Sequence, residues 1–158
     1  MALPSFEVRE GDRSDVDACL RVLAALPEYF TDQARQDFAR AAQSDPLWVG
    51  VLAGIVVGFV AVERRYRQAA EITFAAVGPD HRSHGLGKML VRECFNWLRN
   101  EEVRFVEVKT LDASAGYEPY VATRAFWESC GFVQIDCIDP LPGWSPGNPS
   151  AIYVAAIE

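Results

Sequence analysis

The stretch from Glu71 to Asn100 restricts what this chain can fold into more than any other. Glu71-Ile72-Thr73-Phe74-Ala75-Ala76-Val77 reads as a strand, and Gly85 to Asn100 sets Leu86, Met89, Leu90, Cys94, Trp97 and Leu98 on one helical face. Between them lies Gly78-Pro79-Asp80-His81-Arg82-Ser83-His84, and the helix itself opens as Gly85-Leu86-Gly87-Lys88. A helix N-terminus leaves backbone N–H groups unpaired and carries partial positive charge, so it attracts anions such as phosphates. Glycines there let a bulky anion approach the backbone. Spacing excludes two familiar phosphate loops. A Walker A loop needs Gly-x-x-x-x-Gly-Lys-Ser/Thr, but Arg82 holds the first glycine position and Met89 follows Lys88. A dinucleotide fingerprint needs Gly-x-Gly-x-x-Gly, and counting from Gly85 the last position is Leu90.

The rest of the chain alternates strands and helices around this unit. Phe6 to Arg9 alternates apolar and charged residues as a short strand does. Val16 to Leu26 repeats apolar residues at helical spacing and stops at Pro27; Thr31 to Gln43 reads as a second helix capped by Thr31. Trp48 to Val62 is apolar but interrupted by Gly50, Gly54 and Gly58, which suits two strands turning at Ala53-Gly54 better than a helix. Arg104 to Thr110 is a strand, Tyr120 or Val121 to Ser129 a helix ended by Cys130-Gly131, and Phe132 to Ile135 and Ile152 to Ile157 two more strands. The order is β-α-α-β-β-β-α-β-α-β-β, with no repeat and no linker. One α/β domain over residues 1–158 is expected, a single mixed β-sheet flanked by helices.

Composition removes other classes. The 158 residues are 50% apolar and 23% charged, too balanced for disorder, and the net charge of −7 is the wrong sign for a nucleic-acid binder. Cys19, Cys94, Cys130 and Cys137 form no Cys-x-x-Cys pair, Met1 to Phe6 has no signal-peptide pattern, and Leu47 to Val62 is too short to span a bilayer. A cytoplasmic location is therefore expected. His81 and His84 form His-x-x-His with only Asp80 nearby, so no metal is expected.

Arg82-x-x-Gly85-x-Gly87 resembles the pyrophosphate-binding signature of the GNAT superfamily of acyl-CoA-dependent N-acyltransferases, Gln/Arg-x-x-Gly-x-Gly/Ala. Val77-x-Pro79-x-x-Arg82 leads into it, and Ala125-Phe126-Trp127-Glu128-Ser129-Cys130-Gly131-Phe132 looks like the family's Phe-Tyr-Glu-x-x-Gly-Phe helix ending. The element order is similar over nearly the whole chain. The resemblance implies a GNAT-like fold and acetyl transfer from acetyl-CoA to a primary amine by direct attack in a ternary complex. It implies that the amides of Ser83, His84, Gly85, Leu86, Gly87 and Lys88 hold the CoA pyrophosphate, with Arg82 and Lys88 adding charge. The strand ending at Ala75-Ala76-Val77 would pair with pantetheine as if with another strand, and the Val77 amide would lie near the thioester carbonyl. Tyr120 and Phe126 complete the implied cofactor contacts. Dimers are common among relatives, which leaves a homodimer open here.

Acyl transfer needs a base for the ammonium, a donor for the oxyanion and a route for the thiolate to leave. Relatives often carry a glutamate base on the fourth strand; Glu71 opens that strand here, with Glu63 and Glu28 as rivals. The family's usual acid, the tyrosine of Phe-Tyr-Glu, is Trp127, whose indole N–H does not ionise at ordinary pH. Tyr120 is the alternative acid or a CoA contact, and Tyr117 a weaker candidate. Cys130 has no paired histidine in the pattern, so a thiol nucleophile is not expected. The Pro/Gly-rich connector Asp139 to Ser150 suggests an acceptor-site rim, a surface loop or a dimer contact. Because of Trp127, a non-catalytic acyl-CoA-binding or regulatory domain stands as the competing reading.

Overall fold

The computed structural model describes residues 2 and 4–157, and among them the apolar and glycine patterns resolve into seven strands and four helices. In chain order these are β1 (Glu7–Glu10), α1 (Val16–Ala24), α2 (Asp32–Ala41), β2 (Leu47–Leu52), β3 (Ile55–Tyr66), β4 (Ala69–Val77), α3 (Leu86–Asn100), β5 (Phe105–Leu111), α4 (Tyr120–Ser129), β6 (Val133–Ile138) and β7 (Ser150–Ala156). The order is the one the sequence suggests. Element ends differ for local reasons. α1 stops at Ala24 rather than Leu26 because the residue ahead of a proline is pushed out of helical geometry, although Leu26 itself is fully buried. β3 runs past Val62 to Tyr66 because Glu63, Arg64 and Tyr66 pair with the start of β4. β6 extends past Ile135 to Ile138, paired to β7.

The strands form one sheet in the order β1-β2-β3-β4-β5-β7-β6. Every neighbouring pair is antiparallel except β4 and β5, which run parallel. The turn between β2 and β3 falls at Ala53-Gly54, where both residues adopt left-handed backbone (φ 50° and 81°), as a two-residue hairpin requires. On one face α3 buries Leu90, Cys94 and Leu98 with Val60, Val106, Tyr153 and Trp127 of α4. On the other, Cys19 and Leu23 of α1 and Phe38 of α2 pack on Val49, Phe59 and Ala61. Each of the leucine, valine and phenylalanine side chains among them contributes about 1.5–3 kcal/mol by leaving water.

Two irregularities interrupt the sheet near its centre. Across β3 and β4, Ala61 faces Phe74 and Val62 faces Ile72, so the register skips Thr73 and a bulge bends β4. Across β4 and β5, pairing covers only Ala69↔Phe105, Ala70↔Val106 and Glu71↔Glu107. Both strands continue beyond that point, but apart: β5 stays paired to β7 along its whole length, while β4 stays with β3.

Candidate active site

The parted strands open a slot of about 560 Å³. It passes through the sheet, because Phe59, Phe74 and Ala76 line it from the α1/α2 core and Val60, Ile72 and Leu86 from the α3/α4 core. Gly78 donates its N–H to the Val57 carbonyl of β3 at 2.8 Å. Amides alternate in direction along a strand, so the preceding Val77 N–H points away from β3, toward the gap.

One end of the slot is the start of α3. Gly85 sits at the N-cap with φ +87° and has no side chain to cap the helix. Met89 is the first amide to bond back, to the Gly85 carbonyl at 3.1 Å, so the amides of Leu86, Gly87 and Lys88 lie ahead of the intrahelical ladder. No acidic side chain occupies that first turn. Ser83 also takes left-handed backbone (φ 65°), a conformation the sequence pattern did not reveal. Two further glycine contacts seat the turn. Leu86 fills the space above the cross-strand pair Gly50 and Gly58, and a Cβ on Gly87 would lie 2.8 Å from the Phe126 ring of α4.

Over the slot, the loop after α1 is fastened to the beginning of α4. Tyr29 donates to the Pro119 carbonyl at 2.9 Å, Tyr117 to the Glu28 carbonyl at 2.9 Å, and Tyr120 to the Tyr29 carbonyl at 3.1 Å. Arg82 donates to the Tyr29 hydroxyl at 3.1 Å, with its guanidinium 4.7 Å from that ring centroid. Sequence reasoning missed this clasp, since Tyr29 carried no motif. Burial, reinforced by Tyr117 and Tyr29, pushes the Tyr120 phenol up to about 12, so it stays protonated at neutral pH.

Of the residues expected at the site, Ala76, Val77, Arg82, Ser83, Gly85, Leu86, Gly87, Lys88, Tyr120 and Phe126 line the slot. His84 is exposed and outside the lining. Glu71 needs a correction. It does not open its strand but is the third residue of β4, because the tight β3–β4 turn starts the strand at Ala69. It is buried, lies outside the lining, and its Oε1 accepts hydrogen bonds from Arg65 and, at 3.2 Å, from Lys109. Glu63 and Glu107 are its register partners on either side, so three carboxylates and two cations meet where the strands begin to part. The Glu28 side chain is exposed, and it is the Glu28 carbonyl that is engaged.

Thr110 of β5 belongs to no motif, and only its surroundings in the fold single it out. It is 4% exposed and lines the slot, yet its hydroxyl has no partner among the described residues, a position that a ligand group could satisfy. Trp127 is buried against the Phe126 and Phe132 rings and also lines the slot. Burial pushes the Cys130 thiol up, away from thiolate chemistry. The connector after β6 contributes no lining residue. Among the described residues, no group of three or more His, Cys, Asp or Glu side chains could hold a metal, and no helix is long and apolar enough to cross a membrane.

A sequence model of the Acetyltransferase (GNAT) family matches residues 16–132, and the chain belongs to that family. Its fold is shared by solved GNAT structures. A GNAT-family protein from Desulfovibrio desulfuricans superposes with a TM-score of 0.84 at 19% identity, over 98% of this chain and 100% of that one. An aminoglycoside 6'-N-acetyltransferase complexed with coenzyme A gives 0.75 at 18%, over 96% and 97%. A GNAT acetyltransferase from Elizabethkingia anophelis with acetyl-CoA bound gives 0.72 at 13%, over 96% and 97%. No curated protein sequence matches the chain.

Proposed function

We propose that this protein, read as one domain over residues 1–158, transfers the acetyl group of acetyl-CoA to a primary amine in a ternary complex. The observation that carries the reading is the parting of β4 and β5 after Glu71 and Glu107, which opens a slot leading to the uncapped start of α3. Ser83 to Lys88 receive the pyrophosphate on their amides, and Arg82 and Lys88 supply charge. Ala76 and Val77 offer the free edge of β4 to pantetheine, and Phe126 and Tyr120 wall it. Acetyl-CoA brings the activated acyl group. The Val77 N–H donates to the thioester oxygen as the amine adds, and the C–S bond then breaks to release the CoA thiolate.

Glu71, at the vertex of the opening, takes a proton from the acceptor ammonium through water and so frees the lone pair that attacks. The second N–H proton, acidic once the amine has added, passes to the departing CoA sulfur or to water. Arg65 and Lys109 bond to this carboxylate and hold its position. Tyr120 acts as wall and clasp, since its proton is donated to the Tyr29 carbonyl. A thiol of pKa about 8.5 yields a thiolate stable enough to leave without a strong acid. The Thr110 hydroxyl donates to the bound acyl-pantetheine end. Four free cysteines suit a reducing, cytoplasmic setting.

The test is calorimetric titration with acetyl-CoA and with CoA, followed by thiol release across an amine panel. Micromolar binding, about −8 kcal/mol, with amine-dependent thiol release is expected. Absence of both a binding heat and a thermal-shift response overturns the reading. Tight binding without turnover on any amine favours the second reading, a non-catalytic acyl-CoA-binding domain, which the buried Trp127 supports.

A further inference from the structure

The slot has two unlike ends, and the difference bears on the acceptor. On the α3 side lie the glycine turn, Arg82 and Lys88. On the α1/α2 side the wall is Leu26, Phe30, Phe59 and Phe74, and Tyr29, bonded to Arg82, stands between the two ends. This wall is backed from behind: the fully buried Phe38 ring lies with its centroid 4.7 Å from that of Phe59, tilted, and 5.3 Å from that of Phe74, edge-on.

The charge pattern runs against the chain as a whole. The protein carries a net charge of −7, yet the formally charged side chains lining the slot among the described residues are all basic: Arg82, Lys88 and Lys109. Lys109 stands on the α1/α2 side, because its neighbours Val106 and Val108 point into the other core. Lys109 is ion-paired with Glu71 at 3.2 Å and Glu107 at 3.6 Å, and both carboxylates lie outside the lining.

Resting on the acetyl-transfer reading, we infer that the acceptor is a monoamine with an aromatic body, and that polycations are rejected. An aromatic body fits a rigid wall of phenyl rings, where ring–ring contacts add to burial. The same wall, by taking the incoming amine out of water, disfavours its charged form and eases the loss of its proton before attack. A polyamine or an aminoglycoside brings a second ammonium against this phenyl wall, with no carboxylate among the lining residues to meet it.

The experiment measures thiol release by the intact protein at saturating acetyl-CoA, with 2-phenylethylamine and spermidine as acceptors. The kcat/KM for 2-phenylethylamine is expected to exceed that for spermidine by at least about tenfold, the scale at which one apolar contact discriminates. Phe30→Glu places a carboxylate in the wall and is expected to shift that ratio toward spermidine by about tenfold or more, a gain that loss of folding cannot produce. Preference for spermidine in the unmodified protein overturns the inference, as does acetyl-CoA binding with no turnover of 2-phenylethylamine. An equal loss on both acceptors in Phe30→Glu also counts against it. Failure of acetyl-CoA to bind is a separate result: it overturns the acetyl-transfer reading itself.

Discussion

Leu86 occupies the place a side chain on Gly50 would need: a Cβ there would lie 2.5 Å from the Leu86 Cδ1. Gly50 on β2 faces Gly58 on β3, so the paired absence of side chains makes a seat for the first residue of α3. The seat fixes how far the candidate anion-binding turn stands from the sheet. Gly50→Ala is expected to destabilise by about 1–3 kcal/mol through overpacking, lowering Tm by about 2–4 °C per kcal/mol. It should also weaken acetyl-CoA binding, because Leu86 must lift. Thermal melts and calorimetry on the same variant check both effects.

Gly85 separates backbone conformation from charge. A Cβ there meets nothing within 4 Å, but φ is +87°, so Gly85→Ala costs only conformational strain of about 1–2 kcal/mol. Gly85→Glu adds a like charge against the proposed pyrophosphate and is expected to abolish acetyl-CoA binding. Binding retained by Gly85→Glu, measured calorimetrically, places the cofactor elsewhere.

The glycine turn and the element order were legible because each follows from a local rule: glycine spacing, helical periodicity, a proline stop. The clasp was not. Tyr29 and Tyr120 are 91 positions apart from hydroxyl to carbonyl partner, and nothing in either neighbourhood signals the other. The surroundings of Glu71 were hidden for a similar reason, since Arg65 and Lys109 reach it only through the β3–β4 bulge and the parallel register with β5. Thr110 reads as an ordinary strand residue until the slot is seen beside it.

Asp112, just past β5, predicts an acid-side loss of stability. Its carboxylate accepts from the Ser114 hydroxyl at 2.7 Å and amide at 3.0 Å and from Gln134 at 2.7 Å, and these bonds lower its pKa to about 2. A carboxyl group more acidic in the folded state stabilises the fold fully above its unfolded pKa, near 4, and loses that contribution as pH falls toward 2. Melting temperatures from pH 5 to pH 2 should therefore fall less steeply for Asp112→Asn than for the unmodified protein. Parallel slopes would show that the bonds to Asp112 carry no linkage.

For Glu71, the informative quantity is the pH profile rather than the rate at one pH. Glu71→Gln keeps the shape and an acceptor for Arg65 and Lys109 but cannot take a proton. If Glu71 is the base, kcat should fall by about 10²–10⁴ at low pH, where the acceptor is most fully protonated, and recover as pH rises. A uniform drop at every pH, or none, removes Glu71 from proton transfer and leaves it as the ionic tie between β3, β4 and β5.

Tyr120 and Thr110 divide the question of how the thiolate leaves. With its pKa near 12 and its proton donated to the Tyr29 carbonyl, Tyr120 is poorly matched to a thiol of pKa about 8.5. Tyr120→Phe should therefore keep kcat within a few-fold and lower Tm, through loss of one bond of the clasp worth about 1 kcal/mol. Thr110→Val is nearly the same shape and removes a hydroxyl without a partner, so it should leave Tm unchanged or raised. Its effect should fall on acetyl-CoA instead, as weaker binding or a lower kcat of about tenfold. A loss of a hundredfold or more in Tyr120→Phe, with acetyl-CoA affinity intact, would assign the acid to Tyr120, and an unaffected Thr110→Val would remove the hydroxyl from the site.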